Sequence, residues 1–440
     1  MYLHTILKGD YPISREFQLS VSQVSWLSSA YTLIYAVGTV TYGKLADRFQ
    51  LRNLVTFGLL LFGAGSLVGL AAPTFWLALL GRCLQAAGAA AIPALALIIP
   101  VRYFAPDRRG SALSMTAVGL ALGGALAPVI SALVASFADW RWLFLPSLLM
   151  LPLIPLYRKH LKPETALAPK PFDWLGGGLL AVSVALLLIG LTNQSWWLLA
   201  AGGVGVIGLA ARVTVAREPF IQPRLFANQR YTLALSIAIA ISGAATSLYF
   251  LTPILLSEVH HLSSSWIGFA MVPAAVASSI LGRRGGKLAD RKGNTYLLGV
   301  ASCFTIACFA LLSTFTGSSP LWIAVFLLLG NVGQSFFQIG MSGVISRILP
   351  QEHVGVGMGL FSMFNFIAQG AAVAIYSVVV SNPSAAGWNP LQSDPDSYLF
   401  SNIFLVLVVL HAAVAFGYRL LFRQGASDVS IAITQQHAAK

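Results

Sequence analysis

Thirteen apolar runs, each long enough to cross a bilayer, follow one another along this 440-residue chain. They lie at about 22–43, 54–72, 75–101, 111–136, 142–157, 173–192, 195–212, 231–256, 265–282, 295–315, 319–348, 357–381 and 399–422. In lipid each has to be a helix, because only a helix satisfies every backbone N–H and C=O within one segment. The composition agrees: 57% of residues are hydrophobic and 9% charged, where a soluble domain carries roughly 25% charged. An all-α integral membrane protein is expected. Its cysteines, Cys83, Cys303 and Cys308, lie inside apolar runs and suit neither a disulfide framework nor a metal cluster. Residues 1–21 hold no apolar core long enough for a cleavable signal, so the spans themselves target the chain.

The formal charge of +13 is explained by where the cations fall. Lys44, Arg48 and Arg52 follow the first run, and Arg102, Arg108 and Arg109 follow the third. Arg283, Arg284, Lys287, Arg291 and Lys292 follow the ninth, and Arg347 the eleventh. Connections after even-numbered runs hold only Arg141. This is the positive-inside pattern, so the basic excess sorts loops and is no nucleic-acid footprint. It places residues 1–21 outside and the tail, 423–440, in the cytoplasm.

A repeat organises the spans. Gly43-Lys44-Leu45-Ala46-Asp47-Arg48 recurs unchanged as Gly286-Lys287-Leu288-Ala289-Asp290-Arg291, both copies in loops on the cytoplasmic side. The second copy follows the second span after the long loop at 213–230, whereas the first follows the first span. If the halves are parallel repeats, one N-terminal helix is expected upstream of the first run. The halves then cover 22–157 and 231–422, with an inserted helix pair within 158–212.

The segments Gly43 to Arg52 and Gly286 to Gly293 resemble the loop signature of the major facilitator superfamily. Arg82-Cys83-Leu84-Gln85-Ala86-Ala87-Gly88 resembles its fourth-helix arginine signature, and Asp139-Trp140-Arg141-Trp142 is similar to its tryptophan-arginine-tryptophan loop. Two six-helix repeats with a two-helix insert resemble the fourteen-helix drug/proton antiporter branch. Within it, Gly38 to Leu45, Gly88 to Leu95, Val259 to Ser263 and Asp396 to Asn402 look like the tetracycline exporters of Gram-positive bacteria. The resemblance implies a major-facilitator-type bundle, with its first helix missing from these thirteen spans, in a bacterial cell membrane. It further implies a drug carried as a divalent-cation complex in exchange for protons, no cofactor, and a C-terminus in the cytoplasm.

The residues support roles of their own. Asp47 and Asp290 lie between helix ends, where each can accept N–H groups from a helix N-terminus and pair with a nearby arginine. With Gly43, Arg48, Gly286 and Arg291 they would latch the cytoplasmic side shut; the plainer reading of the cations is a topological one. Arg82 is the one Lys or Arg well inside a span. With Gln85 and Gly88 it would line the transport pathway, or it snorkels to a helix end. Gln334, Gln338, Asn365 and Gln369, with Asn331, suit a cavity for a polar, oxygen-rich ligand or else bond helix to helix. Tyr31, Tyr35 and Tyr249 are lesser candidates for the same cavity. Gly119, Gly123, Gly124 and Pro128 match the antiporter helix in degenerate form and would allow close helix contact. No Asp or Glu stands in the core of any run, and Gln369 stands where the resembled exporters tend to have a glutamate. A proton-coupled exporter needs a protonatable group in its pathway; a histidine such as His411 could serve, but a lone one on an apolar helix more simply packs. His260-His261 makes a poor metal site.

The expectation is a drug exporter working by alternating access, with a small-molecule drug, protons and the bilayer as partners. The alternatives are an exporter of another drug or a metabolite, and a truncated membrane protein that transports nothing.

Overall fold

A computed structural model describes residues 16–18, 21–105, 107–137, 139–161, 173–192, 195–216, 219–350, 353–381, 387–392 and 394–438. Residues 1–15 of the expected outer segment lie outside them. Among the described residues every regular element is helical.

The first half comprises α1 (Val21–Ala46), α2 (Leu51–Leu70), α3 (Phe75–Ala89), α4 (Ala91–Tyr103) and α5 (Arg109–Phe137), then a 3-10 turn (Trp140–Phe144), α6 (Leu145–Leu148) and α7 (Leu153–His160). The inserted pair is α8 (Trp174–Thr192) and α9 (Trp196–Val215), and a short α10 (Pro223–Ala227) follows. The second half is α11 (Gln229–Glu258), α12 (Ser264–Lys292), α13 (Asn294–Thr314), α14 (Pro320–Ile348), α15 (Val354–Ser381) and α16 (Tyr398–Ala438). Ten helical stretches among the described residues are long and apolar enough to cross a bilayer. Helices also fill the runs at α1, α5 and α8.

Two runs depart from single helices, and proline explains both. The run at 142–157 is broken into the 3-10 turn, α6 and α7, because Pro146, Pro152 and Pro155 each remove an N–H and crowd the preceding turn. The long third run breaks at Ala90 into α3 and α4, three residues before Pro93. α16 continues to Ala438, through the stretch expected as a tail. The repeated hexapeptides also end differently. α1 stops at Ala46, whereas α12 runs through its copy to Lys292 and is stopped by Gly293, whose φ of 88° suits glycine.

The halves join chiefly through α1 with α15 and α5 with α12, with smaller contacts of α5 on α14 and α4 on α15. α2 packs on α3 and α13 on α14, while α8 lies against both α1 and α15. The largest buried cluster joins both halves and the insert at the arginine-rich end; it includes Leu51, Ile98, Leu180, Tyr231, Met358 and Phe361. At the opposite end Trp76, Trp196, Trp197, Trp266, Trp322 and Trp388 stand exposed near helix termini. That is the placement of an interfacial aromatic belt.

Two carboxylate latches and a candidate transport pathway

The hexapeptide carboxylates cap helices of the opposite half. Asp47, just beyond α1, accepts the backbone N–H groups of Gly355 and Val356 at the start of α15, both at 3.1 Å. Asp290, near the end of α12, accepts those of Gly110 at 2.7 Å and Ser111 at 2.8 Å at the start of α5. A helix N-terminus presents unpaired N–H groups and a positive dipole end, so a carboxylate there is stabilised twice over.

Small residues make the approach close enough. A Cβ on Gly43 would come within 2.5 Å of the Gly355 oxygen, and one on Gly286 within 2.5 Å of Ser114 Oγ. The arginine beside Asp47 is Arg102, from the end of α4, whose Nη2 lies 3.1 Å from Oδ1. The hexapeptide arginines take no such part. Arg48 keeps its Nε buried without a partner, Arg291 is exposed, and neither forms an ion pair among the described residues. Burial pushes the Asp47 carboxyl up to about 6, against the opposing pull of Arg102 and the two N–H groups.

Sequence reasoning assigned Arg102 only a topological role, and a second internal match was there to be found. Arg102 stands eight residues before Gly110, and Arg347 stands eight before Gly355. These are the two glycines whose N–H groups the aspartates capture.

Between the latches and the opposite end, the halves meet through aromatic rings. The Arg82 guanidinium lies 4.4 Å from the centre of the Tyr31 ring, and its Nη1 donates to Gln85 Oε1 at 3.0 Å. Gln85, buried, donates in turn to Ser66 Oγ at 2.8 Å and Ser147 Oγ at 3.3 Å. The cation is thus held by a ring face and a side-chain amide. Tyr31 stacks on Tyr35 at 5.8 Å, and Tyr35 meets the edge of Phe366, from α15, at 4.7 Å. On the second half Tyr249, half-exposed, donates to Asn331 Oδ1 at 2.7 Å, and Ser242 donates to Asn365 Oδ1 at 2.6 Å. Asn365 Nδ2 and Gln334 Oε1 are buried without partners. Gln334 and Gln338 share a face of α14 with Asn331, at helical spacings of three and seven. Gln369 is exposed, one turn from Phe366.

Other candidates fall elsewhere. Gly88 packs on Phe62 and Gly58 of α2, a helix contact rather than a lining position. The close contact expected at Gly119 and Gly123 is absent: both are exposed, and a Cβ there would meet nothing within 4 Å. The tight approach on α5 lies at its other end, at Gly110 and Ser114. Gly124 and Pro128 lie within α5, their side chains outside the described residues. His411 is buried against the edge of Phe309, with neither ring nitrogen partnered. His260 Nε2 lies 2.9 Å from the Thr316 oxygen. Arg141, the exception to the charge pattern, is neutralised locally. It pairs with Glu16 at 2.6 Å and Asp139 at 3.1 Å, and Trp140 also donates to Glu16.

Two helical halves that capture each other's helix ends, and whose aromatic rings meet between them, define a two-repeat helical membrane bundle. The sequence profile of the Major Facilitator Superfamily matches residues 3–373, and the chain belongs to that family. An uncharacterised transporter of the same type from Mycobacterium tuberculosis is 28% identical over 364 residues, 80% of this chain; the chain spans 62% of that relative's length. Multidrug resistance protein 3 of Bacillus subtilis is 25% identical over 82% of this chain and 73% of its own. The riboflavin transporter RibZ of Clostridioides difficile is 24% identical over 83% and 81%. The crystal structure of the human organic anion transporter MFSD10 superposes with a TM-score of 0.66 at 15% identity, over 93% of this chain and 90% of that one. At that identity it speaks for the fold alone.

Proposed function

We propose that this chain exports a flat, amphipathic drug across a bacterial cell membrane in exchange for protons, by alternating access, with the arginine-rich end and the C-terminus in the cytoplasm. The observation that carries this reading is the aromatic column Tyr31–Tyr35–Phe366, crossing from one half to the other with Arg82 laid on its first ring. Ring faces bind fused-ring molecules through stacking. The unpartnered amide atoms of Gln334 and Asn365 await hydrogen-bonding oxygens or donors. Tetracycline, a fused-ring molecule rich in carbonyl and hydroxyl oxygens, fits that chemistry; the resemblance adds its divalent-cation complex as the travelling form.

Proton exchange requires a group that changes protonation as the ends alternate. Among the described residues no carboxylate stands in the middle of a span, and Asp47 at the latch takes this part. Its carboxyl, raised to about 6 by burial, returns toward the ordinary carboxylate range once the latch opens to water. At and below about pH 6, where the latched acid holds a proton, opening therefore releases it to the cytoplasm, the direction that export in exchange for protons needs.

The test is uptake into everted vesicles with an imposed proton gradient, using tetracycline, riboflavin and the cationic dye ethidium. Accumulation of tetracycline that falls at least tenfold in Tyr35→Ala and Phe366→Ala supports the reading. Accumulation of riboflavin alone favours a metabolite exporter, which the riboflavin-transporting relative brings forward. If none of the three accumulates, the drug-exporter reading fails and the non-transporting alternative gains ground.

A further inference from the structure

Near the latches a cavity of about 510 Å³ opens between the two halves. Val101, Asp107 and Arg109 line it from the first half, and Ser346, Arg347 and Val354 from the second. Arg347 matches Arg102 by position in the repeat, yet the two differ in partner. Arg102 is paired with Asp47, whereas Arg347 is exposed and forms no ion pair among the described residues. Arg109, which also lines the cavity, donates its Nε to the Phe104 oxygen at 3.3 Å and forms no ion pair among the described residues. The single acid among the described wall residues, Asp107, is largely exposed and lies 4.0 Å from Arg108. Among the described residues, the wall of the cavity thus carries two guanidinium groups, one from each half, and one carboxylate.

We propose that this cavity binds a phosphate-type oxyanion, free or carried on a small soluble metabolite, which bridges Arg109 and Arg347 and clasps the halves in the latched state. Guanidinium groups bind phosphate through paired, charge-assisted hydrogen bonds, and an anion between two of them replaces repulsion with attraction. The volume exceeds what inorganic phosphate needs and suits a phosphate ester. Opening this end moves the start of α5 away from the end of α14 and divides the site. The anion therefore binds the closed form and favours it, by reciprocal linkage.

The experiment uses the full chain in nanodiscs, its native cysteines replaced, spin-labelled at Ala105→Cys and Pro350→Cys on opposite sides of the cavity. The population with the short inter-label distance is read while inorganic phosphate replaces chloride at matched ionic strength. In phosphatidylcholine discs, millimolar phosphate should raise the closed-to-open ratio about three- to tenfold. The rise should vanish in Arg109→Gln and Arg347→Gln. A rise that appears only in phosphatidylglycerol discs without added phosphate, and is lost in both variants, assigns the same site to a lipid headgroup and overturns the soluble anion. No rise in either disc, or one that survives both substitutions, overturns the site itself. Should either variant insert poorly, the thermal midpoint of the unlabelled native chain in phosphate against chloride decides the question, with an unchanged midpoint counting against the proposal.

Discussion

The two copies of Gly-Lys-Leu-Ala-Asp-Arg are identical in sequence and differ in the side chains that support them. Each aspartate captures two N–H groups at a helix start of the other half, so the duplication preserves the solution to one problem: holding two rigid halves together at one end. What supports the carboxylate is not preserved. Asp47 draws on Arg102, whereas Asp290 draws on the Ser111 hydroxyl at 2.5 Å. The residue matching Ser111 in the first latch is Val356, which has no hydroxyl to offer. The lesson is that a carboxylate at a helix N-terminus needs a third donor, and the two halves found different ones.

The largest expected effect is loss of either carboxylate. Asp47→Ala and Asp290→Ala each leave helix-start N–H groups without their acceptor, at roughly 1–3 kcal/mol per group. Drug export from cells should fall at least tenfold in both while membrane insertion persists. Near-normal export in either variant would mean that its latch does not govern the cycle. Next come the unlike donors. Arg102→Gln should weaken the first latch about tenfold, because it removes a charged partner from a largely buried acid. Ser111→Ala, which removes a neutral hydroxyl donor, should weaken the second by about threefold. Distances between labels spanning each latch measure both, and equal effects would erase the proposed difference between the copies.

How much of this was legible beforehand divides along the same line. The helices were legible because apolar length leaves one structure in lipid, and the paired aspartates because six identical residues mark a repeat. Arg102 was not: it lies 55 residues from Asp47, and its charge already had a sufficient explanation in topology. The capping glycines were hidden because any residue supplies an N–H, so nothing in their chemistry marks Gly110 or Gly355. The expected contact at Gly119 and Gly123 failed for the converse reason: spacing permits a close approach without naming the helix that would make it. Arg82 was legible as a buried cation, but its Tyr31 partner lay on another helix and could not be read from spacing.

A smaller effect should distinguish the copies by pH. The first latch holds an acid raised by burial, so its closed state binds a proton more tightly than its open state. Closure of that latch should therefore strengthen as pH falls from about 6 toward the ordinary carboxylate range, and level off above about pH 7, where both states are ionised. Asp47→Asn, which is neutral at every pH, should flatten the profile. A native distance profile across this latch that stays level between about pH 4 and 7 would remove Asp47 as the proton-sensitive group.

The smallest effect separates the copies by what lies beside them. Lys44 and Lys287 occupy the same place in the hexapeptide, yet Lys44 is buried and donates to the Pro219 oxygen at 3.1 Å, whereas Lys287 is exposed. Pro219 precedes Phe220, whose N–H is held by Asp173 at the start of the inserted pair, and Asp173 in turn pairs with Arg212 of α9. The insert is thereby tied to the first latch, and α8 lies against both helices that this latch joins. Any opening there must carry the insert along or slide past it, an obstacle that the second latch lacks. Lys44→Met keeps the apolar stem and removes the donor, at a cost of about 1 kcal/mol. Amide exchange in the segment around Phe220 should quicken by a few fold, and the first latch should open more readily, while Lys287→Met changes neither. Equal responses to the two substitutions would show that the insert rides passively and that the halves work as equals.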